Sequence, residues 1–240
     1  MNYAIIAAGN GSRLAHEGVA WPKPLVPMGG QPMIGRLIDI MLRADAESIS
    51  VIVNEEMTEV AQYLRREVIP ACPVPFHLVV KSTPGSMHSF YEVSRQFGPG
   101  KFILTTVDTI FREYDFRAYA QAFAADSETD GYMAVTDYID DEKPLYIDTD
   151  ADMRITAFRD DPWDGVKYIS GGIYGLTAPR ALEILEQCMA EGKTRMRQYQ
   201  RALVADGLKL RAWPFTKILD VDHASDIDKA EKFLEMSDER

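Results

Sequence analysis

The chain has 240 residues, 46% of them hydrophobic and 10% aromatic, which suits one sizeable core in a soluble globular protein. A formal net charge of -11 argues against a nucleic-acid partner, because backbone binders present a basic surface, so an anionic substrate must meet local cations or a metal ion. Cys72 and Cys188 stand far apart with no CxxC or histidine partner, which supports neither a disulfide framework nor a zinc site, and no apolar run approaches the roughly 18 residues of a membrane span.

The apolar stretch 4–8 is too short for a span and lacks the basic leader of a signal peptide, so cytoplasmic residence is expected. In chain order, Tyr3–Ala7 reads as a strand, and Gln31–Arg43 as a helix with Met33, Ile34, Leu37, Ile38, Met41 and Leu42 on one stripe. Ile49–Val53, Phe76–Val80 and Phe102–Val107 read as strands, alternating with helices over Met57–Val68, His88–Phe97 and Asp115–Ala125. That rhythm implies right-handed crossovers and a mostly parallel sheet covered on both faces. Strands then follow with little helix between them, over Tyr132–Thr136, Leu145–Asp148, Met153–Phe158 and Lys167–Gly175. Helices at Ala178–Ala190 and Arg195–Ala205, strands at Lys209–Trp213 and Lys217–Val221, and a helix at Ala224–Met236 complete the pattern. The expected fold is an α/β class, three-layer α/β/α sandwich with a mixed, mostly parallel central sheet. With no internal repeat, low-complexity tract or linker, a single domain over residues 1–240 is expected.

Directly after the first strand comes Ala7-Ala8-Gly9-Asn10-Gly11-Ser12-Arg13-Leu14, followed by Trp21-Pro22-Lys23-Pro24-Leu25-Val26-Pro27. Glycines at the C-terminal end of a parallel strand let backbone N–H groups approach phosphate oxygens, and Ser12 adds a hydroxyl donor. Arg13 supplies a fork of donors suited to phosphate, and Lys23 a compact charge between two prolines that restrict the backbone. A dinucleotide fingerprint fails because Leu14 stands three places after Gly11, and a P-loop fails because no GK[ST] follows.

The combination resembles the opening of the nucleoside diphosphate sugar pyrophosphorylases, sugar-phosphate nucleotidyltransferases of the MobA-like NTP transferase superfamily: a strand, A-A-G-x-G-[ST]-R-[LM], a variable loop and P-K-P-L-x-P. The match runs through residues 7–14 and 22–27 and continues with Gly30-Gln31-Pro32-Met33-Ile34. The resemblance implies that Ala8, Gly9, Gly11, Ser12 and Arg13 hold the nucleotide's phosphates, while Lys23 contacts the reacting phosphates; Arg13 and Lys23 are the expected catalytic residues.

It also implies a Mg²⁺ cofactor. The strand Phe102–Val107 ends in Asp108, and in this family an aspartate at that place is the main Mg²⁺ ligand, commonly after glycine where this chain has Val107. A second carboxylate comes from Lys217-Ile218-Leu219-Asp220-Val221-Asp222-His223. Alignment with sugar-type relatives selects Asp220, alignment with cytidylyltransferases selects Asp222, and the two share one side of a strand, so either can reach the metal. Asp222 is the preferred ligand. Two carboxylates plus phosphate oxygens and water make a suitable Mg²⁺ site. The chemistry implied is attack of an acceptor phosphate oxygen on the α-phosphorus of an NTP, with loss of pyrophosphate and no covalent nucleophile.

Lys81-Ser82-Thr83-Pro84-Gly85-Ser86 falls where relatives carry Q-x-x-x-G-T beneath the base; Gly85 and Ser86 match, but the base-reading glutamine has no counterpart. Ile169-Ser170-Gly171-Gly172-Ile173-Tyr174 resembles the sugar-binding N-x-G-[IVL]-Y strand, with Ser170 at the usual asparagine. Relatives have E-K-P upstream where this chain has Asp160 and later Lys167, so Lys167, Gly171, Gly172 and Asp160 are the expected acceptor contacts. His88 and His223 are expected to be structural or capping residues, lacking a serine or cysteine nucleophile.

The expected substrates are an NTP and a phosphorylated small molecule, a sugar 1-phosphate first, with neither nucleic acid nor membrane as partner and homo-oligomerisation left open. No hexapeptide repeat occurs in the 240 residues, so an acetyltransferase half is not expected. The alternatives are a cytidylyltransferase acting on phosphocholine or another non-sugar phosphate, and a silent nucleotide-sugar-binding paralogue. A metal-dependent glycosyltransferase is disfavoured because the Asp-x-Asp at Asp220 to Asp222 comes too late in the chain.

Overall fold

The computed structural model describes residues 1–140 and 142–236; residues 141 and 237–240, which the single-domain reading includes, lie outside the described residues. The chain runs β1 (Asn2–Ala7), α1 (Ser12–His16), β2 (Pro27–Met28), β3 (Gln31–Pro32), α2 (Met33–Arg43), β4 (Ser48–Val53), α3 (Thr58–Tyr63), β5 (Phe76–Val80), α4 (Ser86–Ser94), β6 (Gly100–Thr106) and β7 (Thr109–Phe111). It continues with α5 (Glu113–Ala125), β8 (Gly131–Thr136), β9 (Tyr146–Thr149), β10 (Ile155–Arg159), β11 (Tyr168–Ala178), α6 (Arg180–Ala190), α7 (Met196–Ala205), β12 (Leu210–Pro214), β13 (Ile218–Asp220) and α8 (Ala224–Glu235).

Strands β6, β1, β4 and β5 are parallel neighbours, with Ile5 of β1 opposite Thr105 on one side and Val51 on the other. Because successive strand residues alternate faces, Tyr3, Ile5 and Ala7 enter one core with Leu37 and Met41 of α2, Val60 of α3, and Phe116 and Phe123 of α5. Ala4 and Ile6 enter the opposite core with Phe90 and Val93 of α4, Leu185 of α6 and Tyr199 of α7. Helices therefore cover both faces, and the three-layer α/β/α sandwich expected from the sequence is the fold observed.

The other half of the sheet is organised by β11, which pairs antiparallel with β6, β8 and β9; β9 pairs antiparallel with β10, and β8 carries β12 in parallel. Against β8 the register shifts between Ser170 and Tyr174, so Gly171 and Gly172 sit at an irregularity of the ladder. Packing here is close. A Cβ at Gly131 of β8 would lie 2.6 Å from the Gly175 carbonyl oxygen and 2.8 Å from Leu176 Cδ2. Gly131→Ala is expected to destabilise the fold by about 2 kcal/mol, read as a lower denaturant midpoint at unchanged slope.

Three short pieces are not read from the sequence: α1, the β2/β3 hairpin, and β7, whose pairing with the expected strand β13 sets Thr109 opposite Asp220. Runs of two or three residues carry no readable period. Helix α2 starts at Met33 because Gln31 and Pro32 pair with Met28 and Pro27. The helical segment from Met57 keeps regular α geometry only through Tyr63, widens over Leu64–Val68 and ends in a tight turn at Ile69–Ala71, where Pro70 lacks the N–H to continue.

Candidate functional site

Strand β1 ends at the glycine loop, and α1 follows with Gly11 as its first flanking residue at φ 58°. A Cβ on Gly11 would also come within 2.9 Å of Lys23 Cβ, so both the left-handed backbone and the packing against Lys23 require glycine there. The loop forms one wall of a cavity of about 480 Å³. Ala8, Gly9, Gly11, Ser12 and Arg13 line it on one side, Gly85 and Ser86 at the N-terminus of α4 on another, and Lys23, Asp108 and Asp222 at the floor. Every residue expected to contact the nucleotide therefore lines the same space, and the N-terminus of α4 adds a partial positive charge suited to phosphate.

At the floor, Lys23 Nζ donates to Asp108 Oδ2 at 2.6 Å and to Asp222 Oδ1 at 2.7 Å, and Arg13 Nη1 donates to Asp222 Oδ2 at 2.9 Å. The β7/β13 ladder makes this meeting possible: it brings the segment after Asp220 against Asp108, with Val221 N donating to the Asp108 carbonyl at 3.1 Å. The Lys23 side chain is 11% exposed and that of Asp108 is 23% exposed. Burial alone pushes the Lys23 ammonium down, but Asp108 and Asp222 outweigh it and hold it above its usual range. Burial likewise pushes the Asp108 carboxyl up, while the charge and hydrogen bond of Lys23 and a hydrogen bond from Thr106 hold it below the ordinary carboxylate range.

Two carboxylates converging on one ammonium are a donor set for a cation. Among the described residues no group of three or more His, Cys, Asp or Glu side chains forms a closed metal cage. An open pair of carboxylates beside a phosphate-sized cavity fits Mg²⁺, which keeps waters and takes phosphate oxygens as further ligands. Asp220, the alternate candidate, lies on β13 and, like Ser170, lines the two adjoining cavities.

A residue the sequence reading missed ties the loops together. Asn54, 3% exposed just beyond β4, donates from Nδ2 to the Ala8 carbonyl at 3.2 Å and to Asn10 Oδ1 at 2.7 Å. Its Oδ1 accepts from Ser82 Oγ at 2.7 Å and from the Glu56 N–H at 2.9 Å. One amide thus fixes the glycine loop relative to the loop before Gly85, and strands β1, β4 and β5 deliver all its partners to the same sheet edge. Asn54→Ala is expected to raise the KM for NTP about tenfold with a smaller change in kcat, as initial-rate kinetics would record, because it loosens ground-state positioning by roughly 1.4 kcal/mol.

Two further cavities open from the same floor. One, of about 340 Å³, is lined by Asp108, Thr106, Gly172, Tyr174, Asp220, Lys143, Arg195 and Arg197. The other, of about 220 Å³, is lined by Arg13, Asp222, Ser170, Gly171, Asp140, Glu142, Asp226 and Lys229. Of the expected acceptor residues, Gly172 lines the first cavity and Gly171 the second. Asp160 stands behind the first cavity, accepting from Arg197 Nη1 at 2.6 Å and pairing with Arg201 at 2.7 Å. Lys167 lies over the Tyr168 ring and, among the described residues, is not part of any of these three linings. The cations lining the first of these cavities are Lys143, Arg195 and Arg197. A local signal for Arg195 exists: it flanks the N-terminus of α7, where a basic side chain opposes the helix dipole. His223 has the capping role expected, its N–H donating to Asp226 Oδ2 at 2.8 Å at the start of α8.

Solved structures of other proteins share this fold, three of them over nearly the whole chain. These three are a putative glucose-1-phosphate thymidylyltransferase from Bacillus anthracis (TM-score 0.82, 20% identity, 97% of this chain and 94% of that one), the inositol-1-phosphate CTP transferase from T. maritima (0.78, 17%, 98% and 96%) and HddC from Yersinia pseudotuberculosis (0.74, 19%, 97% and 99%). Among curated proteins, the bifunctional protein GlmU of Neisseria meningitidis serogroup C is 35% identical over 69 residues, 29% of this chain but 14% of that protein's length. The 2-aminoethylphosphonate cytidylyltransferase of Lancefieldella rimae is 44% identical over 53 residues, 22% of each chain. The model of the MobA-like NTP transferase domain matches residues 3–204, which takes in the glycine loop, Lys23 and Asp108, and the chain belongs to that family of nucleotidyltransferases.

Proposed function

We propose that the chain is a Mg²⁺-dependent enzyme that transfers a nucleoside monophosphate from an NTP to a sugar 1-phosphate, releasing pyrophosphate, and that it acts as one domain in the cytoplasm. The observation that carries this reading is the meeting of Arg13, Lys23, Asp108 and Asp222 at the floor of the glycine-loop cavity. No described helix is long and apolar enough to cross a membrane.

In this reading the backbone of Gly9–Ser12 and the N-terminus of α4 cradle the triphosphate, and Arg13 turns from Asp222 to the β- and γ-phosphates. Asp108 and Asp222 would hold Mg²⁺, which supplies charge neutralisation on the phosphates when bound. Lys23 then faces the α-phosphate, where its charge offsets the negative charge that develops as pyrophosphate leaves. Lys143, Arg195 and Arg197 draw the acceptor phosphate into the adjoining cavity beside Asp108, so that its oxygen lies in line with the departing pyrophosphate. Gly172, which lines this cavity, is required by packing: its backbone is left-handed at φ 72°, and a Cβ there would meet Thr109 Oγ1 at 2.9 Å and Thr106 Oγ1 at 3.1 Å.

A second reading has its own support. Asp140, Glu142, Asp220, Asp222 and Asp226 give the smaller cavity an acidic lining that suits an acceptor bearing an amine, as a non-sugar cytidylyltransferase would use. An aromatic cage for phosphocholine is not found: among the described lining residues Tyr138 is the sole Phe, Tyr or Trp of that cavity, and Lys217 covers its ring at 3.7 Å. Pyrophosphate release from each common NTP paired with sugar 1-phosphates, phosphocholine or 2-aminoethylphosphonate separates the two. Turnover with sugar 1-phosphates supports the first reading, and turnover confined to amine-bearing acceptors replaces it with the second.

A further inference from the structure

Between the β2/β3 turn, α2, the start of α5 and α8 lies an open cavity of about 700 Å³ that shares no lining residue with the glycine-loop cavity; Gly29, Gly30, Arg36, Arg112, Tyr114, Arg117 and three glutamates line it. Arg36 is 8% exposed, donates from Nη2 to the Phe111 carbonyl at 2.6 Å, and leaves Nη1 buried without a partner. Arg112 packs its guanidinium over the Phe233 ring at 4.1 Å and also leaves Nη1 buried without a partner. Burial, with the nearby charges of Arg43 and Arg112, pushes Arg36 down to about 10.

The carboxylates of the cavity do not relieve these donors. Glu113 accepts from Arg43 Nε at 2.8 Å and Nη2 at 2.9 Å, and Glu231 accepts from the Gly29 N–H at 2.8 Å. Glu235, the third, lies at the rim and is exposed. An acidic chain of net charge -11 thus gathers Arg36, Arg112 and Arg117 at one place and leaves two guanidinium donors unmet. Unpartnered buried donors carry a desolvation penalty of about 1–3 kcal/mol each; both Nη1 atoms are closed off from solvent, and a multivalent oxygen acceptor removes the penalty once the two guanidinium groups rotate into the cavity that they line. Exposed Tyr114 at the mouth gives a ring face for the body of a small ligand.

We propose that this cavity is a second binding site, separate from the nucleotidyl-transfer site, for a small molecule bearing a phosphoryl group. Arg36 and Arg112 receive the phosphoryl oxygens, and Arg117 adds long-range attraction at the rim.

The test follows backbone amide NMR signals of the full chain during titration with inorganic phosphate and, separately, with glycerol phosphate. Saturable shifts of Gly29, Gly30 and Arg112 are expected with at least one probe; tighter binding of the ester assigns an organophosphate, and equal binding assigns the free ion. Arg112→Gln should weaken binding at least about tenfold, and Glu235→Gln should tighten it about twofold by removing a repelling charge at the rim. Shifts confined to Gly9–Ser12 would overturn the proposal, as would unchanged affinity in a natively folded Arg112→Gln. If Arg112→Gln does not fold, Glu235→Gln decides: tightening supports the site, and no change overturns it.

Discussion

Asp108→Asn is expected to lower the rate of pyrophosphate release by about 10³-fold while the protein stays folded. Asparagine keeps the shape and can still accept a hydrogen bond from Lys23, but it removes the charge that the proposed Mg²⁺ site needs from its innermost carboxylate. Asp222→Asn should cost less, about 10²-fold, because its carboxylate is more exposed and Asp220 lies close by on β13. Raising the Mg²⁺ concentration should recover part of the Asp222→Asn loss and little of the Asp108→Asn loss. Initial rates across a Mg²⁺ series check both; losses of equal size that no Mg²⁺ concentration changes would place the two aspartates outside a shared metal site.

The second large effect is at Lys23. Lys23→Met should lower kcat by about 10²-fold or more, since the lost charge acts on the reacting phosphates and no other side chain occupies its place between Asp108 and Asp222. It should also destabilise the metal-free protein by about 2 kcal/mol, a figure below that of a fully buried pair because the Asp222 side chain is 42% exposed. The pH behaviour follows from the directions of the shifts. Asp108 is held below its usual range, so its contribution is present above about pH 4 and fades only as the pH falls through its lower folded value. Lys23 is held above its usual range, so its contribution is complete below about pH 10 and is lost as the pH rises further. Neither group should therefore put a break in the wild-type rate between about pH 5 and pH 9. Without Lys23, burial is left to push the Asp108 carboxyl up, so the acid limb of the residual activity in Lys23→Met should move to higher pH than in wild type. An acid limb that stays in place would mean that Lys23 does not set the charge of Asp108.

Much of this was legible in the sequence because local patterns carried it. The apolar run at Tyr3–Ala7, the glycines after it and the aspartate closing Phe102–Val107 each announce the C-terminal edge of a parallel sheet, and the structure brings them to one cavity. The contacts among the charged residues were not legible, since Lys23 meets partners 85 and 199 positions away through a three-residue ladder too short to show a period. The sequence puts Asp220 and Asp222 on one side of a strand and prefers Asp222 without a contact to support the choice; β13 ends at Asp220, and it is the Asp222 carboxylate that receives Lys23 and Arg13. The acceptor side was read least well. The search for an upstream E-K-P counterpart led to Asp160 and Lys167, whereas the cations lining the cavity come from the loop before β9 and from the start of α7, segments distant in sequence and without a family motif to mark them. Asn54 was passed over for a similar reason: a single asparagine after a strand looks like an ordinary turn, and only its four hydrogen bonds reveal what it holds.

The central claim is that Arg13, Lys23, Asp108 and Asp222 form a nucleotidyl-transfer site. Its most direct measurement is mass-spectrometric detection of the nucleoside diphosphate product after incubating wild type and Asp108→Asn with mixed NTPs, Mg²⁺ and a panel of sugar 1-phosphates and other phosphorylated acceptors. The account predicts a product carrying one NMP unit together with stoichiometric pyrophosphate in the wild type, both formed about 10³-fold more slowly in Asp108→Asn and neither in the presence of a chelator. Product formation that persists undiminished in a folded Asp108→Asn, or no product from any pairing with a wild type shown to bind NTP, would contradict it.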